Sequence, residues 1–491
     1  MRLRRAMLHS VLQQWVCLVL SLGTGIVIAR LLTPHEVGPY SVAMAALSAG
    51  AAIKEFGVGS FVISHSEDDV ALMKTAFGMT LLVAIGLACG FAALSWPLQA
   101  FYKDPTLGFV LRIAAFGQLA PALAFPATMA LTRAMRFEAL LVVGVAGAFC
   151  QSVVSISLAY AGAGAASLGL GFLIGGIVAA ATTIAYRPRT ALIGPTLTGA
   201  RRLFGFGGWM SGAMVVGSAS MSMPELMIGR IHGLADAALF ARAQNIVSII
   251  RNGLFFAMLR PILPSLGARE KEGLSLAPIY LRLIESVTGL AWPAYALLTI
   301  WADPLIRGLY GPAWSASAAL VAPLAIGHGL SLAVAPHYDV LIVQRRVRRL
   351  FLSELVVFLF TVLALLFALL TNTIDPAWAL ALSGAFFCAW YFAALKPVVG
   401  FEAKALLAVW GRSLALTLAV APAAIVLREL TPATPLGVFA GCAASGLTAA
   451  FIGSIAAKFL RHELSAHLGD FVGPVMALAQ RKASRSRTAP G

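Results

Sequence analysis

Charged side chains are scarce in this sequence, and the few that interrupt its long apolar runs are where chemistry could occur. Lys54-Glu55, Glu225, Arg251-Asn252 and His328 all stand in stretches dominated by apolar and small residues. A charge in hydrocarbon costs ~2.5–3.5 kcal/mol on insertion scales, so each of these positions is a candidate site. Lys54 and Arg251, with Asn252 beside it, suit the binding of an anion: a guanidinium offers a planar fork and an ammonium a point charge. Either cation could instead pair with an acid on a neighbouring helix and only fix packing. Glu55 cannot face Lys54, because adjacent helix residues point ~100° apart, and no basic residue stands three or four positions away. It either pairs with another helix or serves in coupling or gating, and both readings stay open. Glu225 follows Pro224, where a broken helix would expose its carboxylate to a pathway. His328 titrates in a range that suits a proton-coupled step, with a neutral, hydrogen-bonded core histidine as the alternative. Arg242 and Arg251 lie on opposite sides of one helix and cannot line the same wall. Arg242 and Arg112 would snorkel from helix ends, and Arg282 can pair with Glu285 one turn on.

Nothing else in the sequence points to catalysis. Asp303, Asp375 and Glu429 stand alone, without a DxD or a paired acid. Cys17, Cys89, Cys150, Cys388 and Cys442 are scattered through apolar runs, with no CxxC and no Cys/His cluster. No GxxxxGK[ST] loop occurs, so the chain itself should not hydrolyse ATP. The sequence predicts no catalytic set, no metal site and no cofactor.

The elements that must position these residues follow from composition. The chain has 491 residues, 60% of them hydrophobic and 11% charged, whereas a soluble domain carries roughly 25% charged residues. The net charge of +16 would suit nucleic acid, but the basic residues fall in short clusters between apolar runs. That is the pattern of cytoplasmic loops. A soluble enzyme and a nucleic-acid binder are both excluded. The expected fold is an all-α integral membrane protein of about fourteen transmembrane helices. The spans fall near 8–30, 38–63, 73–98, 108–131, 138–161, 164–186, 203–229, 237–260, 278–301, 313–336, 350–371, 376–396, 406–427 and 436–459. Prolines at 121, 126, 224, 293 and 323 should interrupt several of them. With the N-terminus in the cytoplasm, about 26 of the 36 basic residues collect on that side and about 5 on the other. Both termini are then cytoplasmic, and the stretch after Lys458 reads as a basic tail.

One internal match divides the chain. Ile28-Ala-Arg-Leu-Leu-Thr-Pro-His-Glu-Val-Gly-Pro-Tyr-Ser-Val-Ala43 aligns without a gap on Ile228–Ala243. Ile28 meets Ile228, Arg30 meets Arg230, Glu36 meets Asp236, Tyr40 meets Phe240 and Ala43 meets Ala243. Each copy is the turn between the first two helices of its half. Six intervening helices return the chain to the same side, so the halves should be related by an axis along the membrane normal. The expected organisation is a six-helix lobe over 1–200, a second over 201–400, two additional helices over 401–460 and a basic cytoplasmic tail over 461–491.

The same residues carry a family resemblance. Ile28-Ala-Arg-Leu-Leu-Thr-Pro-His-Glu-Val-Gly-Pro-Tyr40, followed by Lys54-Glu-Phe-Gly-Val-Gly59, is similar to the start of bacterial Wzx-type polysaccharide flippases. That family shares a superfamily with the multidrug and toxin extruders and the lipid II flippases. Pro39 departs from the bulky apolar residue usual there. The resemblance implies alternating-access export of a polyprenyl-pyrophosphate-linked glycan across the bacterial inner membrane through a cationic cavity. Lys54, Arg251 and Asn252 would then bind substrate, and Glu55, Glu225 and His328 are the coupling or gating candidates. The partners implied are the lipid-linked glycan, membrane lipids, the glycan polymerase and the chain-length machinery. Two other functions compete: a cation-coupled drug or metabolite extruder of the same superfamily, and a membrane-embedded glycan polymerase, ligase or glycosyltransferase.

Overall fold

The computed structural model describes residues 2–54, 70–187, 193–198, 208–254, 266–267, 270, 272–432 and 434–459. Within these, regular structure is helical throughout. The helices are α1 (Arg2–Leu31), α2 (Pro34–Lys54), α3 (Val70–Tyr102), α4 (Pro105–Gly117), α5 (Leu119–Leu123), α6 (Phe125–Arg133), α7 (Phe137–Tyr160) and α8 (Ala165–Ala185). They continue with α9 (Gly208–Ile231), α10 (Leu234–Leu254), α11 (Ala277–Tyr310), α12 (Ser317–Leu332), α13 (His337–Val343), α14 (Val347–Thr371), α15 (Pro376–Val399), α16 (Ala403–Leu430) and α17 (Pro435–Phe459). A short 3₁₀ turn covers Pro312–Trp314. Every span read from hydropathy overlaps at least one of these helices, and eleven of the described segments are long and apolar enough to cross a membrane. Among the helices of 18 residues or more, α2, α9 and α10 miss that standard.

Local chemistry sets the helix ends. Thr33 and Glu36 form a capping box: the Thr33 N–H donates to Glu36 Oε2 (2.8 Å), and the Glu36 N–H points back to Thr33 Oγ1 (3.4 Å). Pro34 opens α2 where its missing N–H is not needed. Asp104 caps α4 by accepting from the Leu107 N–H at 3.0 Å. The prolines behave differently from the expectation. The 108–131 span is divided, with caps at Gln118 and Ala124 beside Pro121 and Pro126. Pro224, Pro293 and Pro323 instead sit inside continuous α9, α11 and α12. In a bundle, neighbouring helices can satisfy the one backbone group that a proline frees.

The two halves repeat in their backbone. The bounds of α2 and α10 are 34–54 and 234–254, and α1 and α9 end at 31 and 231. Left-handed residues recur at matching corners: Lys103 (φ 56°) and Gly311 (φ 94°), Met135 (φ 53°) and Arg345 (φ 56°), Gly162 (φ 83°) and Asn372 (φ 50°). The turn closed by Arg136 N–H to Leu131 O (3.0 Å) returns as Arg346 N–H to Leu341 O (2.8 Å). The residues matched in sequence share environments too: Ile28 and Ile228 are buried, Ala43 and Ala243 are buried, and Arg30 and Arg230 are exposed.

Contacts divide the chain into two units. The first is Met1–Arg242, Tyr310–Ala316 and Glu354–Pro376; the second is Ala243–Leu309, Ser317–Ser353 and Ala377–Gly491. Within the first, α2 and α4 bury Ala43, Leu47, Val110, Leu111, Ala114 and Ala115 against Phe91, Leu98 and Phe172. Within the second, α12 and α15 cross so closely that a Cβ on Gly384 would lie 2.6 Å from the Gly327 Cα. Small residues allow such backbone approach in a bundle, where packing drives association. Gly384→Ala should therefore force the helices apart and cost ~1–3 kcal/mol, the usual cost of overpacking. Its thermal unfolding midpoint in detergent should fall clearly below that of Gly253→Ala, whose added Cβ meets nothing within 4 Å among the described residues.

Candidate functional site

A polar stripe runs along α10. Gln244, Ser248 and Arg251 recur at i, i+4 and i+7 and share one face. At ~1.5 Å per residue, Gln244 lies about 15 Å and Arg251 about 25 Å from the start of the helix. Helix α12 brings His328 to the upper part of this stripe, with Nε2 3.3 Å from Gln244 Oε1. His328 is about 16 Å into α12, so its depth matches that of Gln244. Helix α11 brings Tyr295, only 4% exposed, within electrostatic reach of Arg251. Arg251 acts on His328 as well. The indole N–H of Trp292, one turn from Tyr295, donates to Gly329 O at 2.9 Å and fastens α11 to α12. Three helices of the second unit thus place the imidazole of His328, the carboxamide of Gln244 and the phenol of Tyr295 along the polar face of α10 that half-buried Arg251 ends.

The other residues singled out in the sequence fall elsewhere. Asn252 is exposed, one position round the helix from the stripe. Lys54 is the last residue of α2, but its side chain lies outside the described residues, as does the whole of Glu55. Glu225 belongs to the first unit, half-buried on an unbroken α9 near Tyr40 of α2 and Tyr102 of α3. The Tyr102 hydroxyl donates to the next carbonyl, Leu226 O, at 2.8 Å. Glu225 therefore lies in the neighbourhood of two tyrosines, and no helix break at Pro224 exposes it.

Arg242 and Arg112 depart from the expected snorkelling, and Glu285 has a partner the sequence did not point to. Arg242 does not snorkel; its guanidinium lies 4.5 Å from the Tyr310 ring centre and 4.7 Å from that of Trp314. Glu285 is gripped from another helix, by Arg412 of α16 through Nε at 2.7 Å and Nη2 at 2.9 Å. Arg112 donates to Ser95 Oγ at 3.2 Å and faces Trp96. Gln244, Tyr295 and Arg412 were not singled out in the sequence. The spacing of Gln244, Ser248 and Arg251 was a usable signal for the first, since a polar face on a membrane helix needs a polar lining opposite.

Against known proteins, residues 27–319 match the sequence family described as "Polysaccharide biosynthesis protein". The chain belongs to this family. Among curated proteins, the chain is 24% identical over 310 residues to the "Succinoglycan biosynthesis transport protein ExoT" of Rhizobium meliloti (strain 1021). The match spans 62% of each chain, so it reaches less than two thirds of that relative. Among solved structures, "Lipid II flippase MurJ, inward closed conformation" overlays with a TM-score of 0.72 at 13% identity. It covers 93% of this chain and 100% of that one, and establishes a common fold. A MATE structure in the bent conformation aligns at a TM-score of 0.48 and 14% identity, over 79% of this chain and 97% of its own. The family protein described here is thus a multi-pass, all-helical membrane protein.

Proposed function

We propose that this polysaccharide biosynthesis protein is a flippase. Its cargo is a polyprenyl-pyrophosphate-linked oligosaccharide, moved across the bacterial inner membrane by alternating access between six-helix lobes over 1–200 and 201–400. The observation that carries the reading is the polar face of α10, where Gln244 meets His328 at 3.3 Å and Arg251 stands two turns further along. A pyrophosphate is the part of such a cargo that hydrocarbon tolerates least, because an ionised group loses its hydration there. A guanidinium fork meets phosphate oxygens in pairs, which supplies both charge and orientation. Glycan hydroxyls need only a wet groove, and the polyprenyl tail can stay among the lipids. The relative named for succinoglycan transport and the fold shared with a lipid II flippase support the same cargo class. Lys54 and Asn252 are the further substrate-binding residues in this reading, while Glu55, Glu225 and His328 serve coupling or gating. Both termini face the cytoplasm.

Arg251→Ala and Lys54→Ala should insert and accumulate normally yet fail to support surface glycan assembly. Lipid-linked units should build up on the cytoplasmic leaflet, measured by extraction and leaflet-specific labelling. Loss of a charge-assisted hydrogen bond predicts a drop in transport of about 10–100-fold, with Arg251→Lys retaining part of the activity. Wild-type glycan assembly in both alanine variants would remove the cargo assignment.

A further inference from the structure

One end of the first unit is closed by matching contacts between the two halves of the sequence. The segment Tyr310–Ala316 packs with the first unit, although the chain on either side of it belongs to the second. It carries the corner at Gly311, the counterpart of the corner at Lys103. From the Gly311 corner, buried Trp314 donates its indole N–H to Ala29 O at 2.9 Å, in the last turn of α1. From the Lys103 corner, Tyr102 donates its hydroxyl to Leu226 O at 2.8 Å, near the end of α9. Helices α1 and α9 are themselves counterparts, ending at 31 and 231. The arginines of the matched turns follow the same exchange. Arg230 lies 4.5 Å from the Phe101 ring centre, and a Cβ on Gly311 would lie 3.7 Å from Arg30 Cδ. Each corner thus holds the first hairpin of the other half. Between the hairpins, a Cβ on Gly38 would lie 2.8 Å from Leu234 Cβ, and one on Gly229 would lie 2.7 Å from Val42 Cγ2. Val42, Leu107 and Ala237 form one buried cluster at this seam. Packing this close admits no cargo between α2 and the α9–α10 turn.

We infer that these reciprocal contacts form a latch that shuts the outer end of the transport pathway, and that both corners must release before cargo leaves. The inference rests on the flippase reading, with both termini cytoplasmic, which puts the turn at Arg30 on the outer side. It adds to that reading the residues that close this side. Their chemistry suits a closure that reopens. Each corner contributes one neutral hydrogen bond, which water replaces when the corner lifts. Arg242 adds a third tie, its guanidinium resting against the Tyr310 and Trp314 rings. A cation held by rings exchanges them for water as the segment lifts, whereas parting a buried ion pair would strand a charge.

The test uses the full chain with its five cysteines replaced by alanine. Val42→Cys places a thiol in the closed seam, where Val42 is 1% exposed. Ala76→Cys is the control, fully buried in a separate cluster of the same unit. In detergent micelles, a charged maleimide should label Val42→Cys about fivefold faster when Trp314→Phe or Tyr102→Phe removes one hydrogen bond. The two together should multiply to about 25-fold. Labelling of Ala76→Cys should keep its original rate, whereas a merely structural role would raise both. In proteoliposomes, oxidising Val42→Cys paired with Ala237→Cys should stop translocation of a polyprenyl-pyrophosphate-linked sugar, and reductant should restore it. The latch falls if Trp314→Phe and Tyr102→Phe leave Val42→Cys labelling unchanged, or if both thiols accelerate together. It also falls if the paired cysteines do not cross-link, or if the cross-linked protein still transports. A wild type that moves no such lipid overturns the flippase reading instead, and the labelling rates, which need no cargo, still decide whether this end opens.

Discussion

Glu285→Ala is expected to destabilise the protein by ~3 kcal/mol, the lower end of the range for removing one partner of a buried ion pair, because the Arg412 side chain is 35% exposed. Glu285 is 4% exposed and accepts two hydrogen bonds from one guanidinium, so its loss removes both bonds that tie Arg412 to α11. Alongside, Thr288 and Ser413 exchange a 2.8 Å hydroxyl hydrogen bond, both fully buried. Together these contacts clamp α16 to α11. Asp303 and Arg307 offer the internal comparison: their distance is also 2.7 Å, but the side chains are 45% and 60% exposed. An exposed i,i+4 pair contributes only ~0.3–0.5 kcal/mol, so Asp303→Asn should scarcely register. Chemical unfolding in mixed micelles measures both. Replacing Glu285 and Arg412 together by methionine should recover most of the loss, since a packed apolar pair often equals a buried ionic one. Equal, small effects of Glu285→Ala and Asp303→Asn would show that the pair does not hold these helices.

Trp314→Ala should be comparably costly. Trp314 is fully buried, and removing a core tryptophan costs ~3–5 kcal/mol. Its indole N–H donates to Ala29 O at 2.9 Å. Ala29 lies in the last turn of α1, where carbonyls lack intrahelical partners, so the indole acts as a cap. The ring also supports Arg242, whose cation sits against both Trp314 and Tyr310. Desolvated contacts of this kind contribute ~2 kcal/mol or more. Gly25 of α1 leaves room for that guanidinium, since a Cβ there would lie 3.3 Å from Arg242 Nη1. Trp314→Phe should keep most of the packing and lose the cap, costing ~1 kcal/mol. A Trp314→Ala variant that unfolds at the wild-type denaturant concentration would contradict this description of the α1 terminus.

What could be read in the sequence is what local physics writes there. Long apolar runs revealed the membrane helices, and the match of Ile28–Ala43 with Ile228–Ala243 anticipated a repeat that the backbone carries through to Asn372. Arg251 and His328 were visible because a polar side chain in an apolar run is conspicuous. Their companions were not. Tyr295 looks like any aromatic in a membrane helix until its hydroxyl is seen to be buried without a partner among the described residues. Arg242 was misread because the rings that hold it are more than sixty residues away in sequence. Glu285 had a plausible partner one turn off in Arg282, while Arg412 stands 127 residues on. Pro224 looked like a helix break because the sequence does not show which neighbours would support the helix.

The central claim is that Arg251 recognises the charged headgroup of a lipid-borne cargo. The most direct measurement is translocation by purified protein in proteoliposomes of two lipids with the same polyprenyl tail, one carrying a pyrophosphate-linked sugar and one a neutral-linked sugar. The wild type should move the pyrophosphate form faster, and Arg251→Gln should abolish that preference while remaining folded. If Arg251→Gln moves the pyrophosphate lipid at the wild-type rate, the charge on α10 does not recognise the cargo.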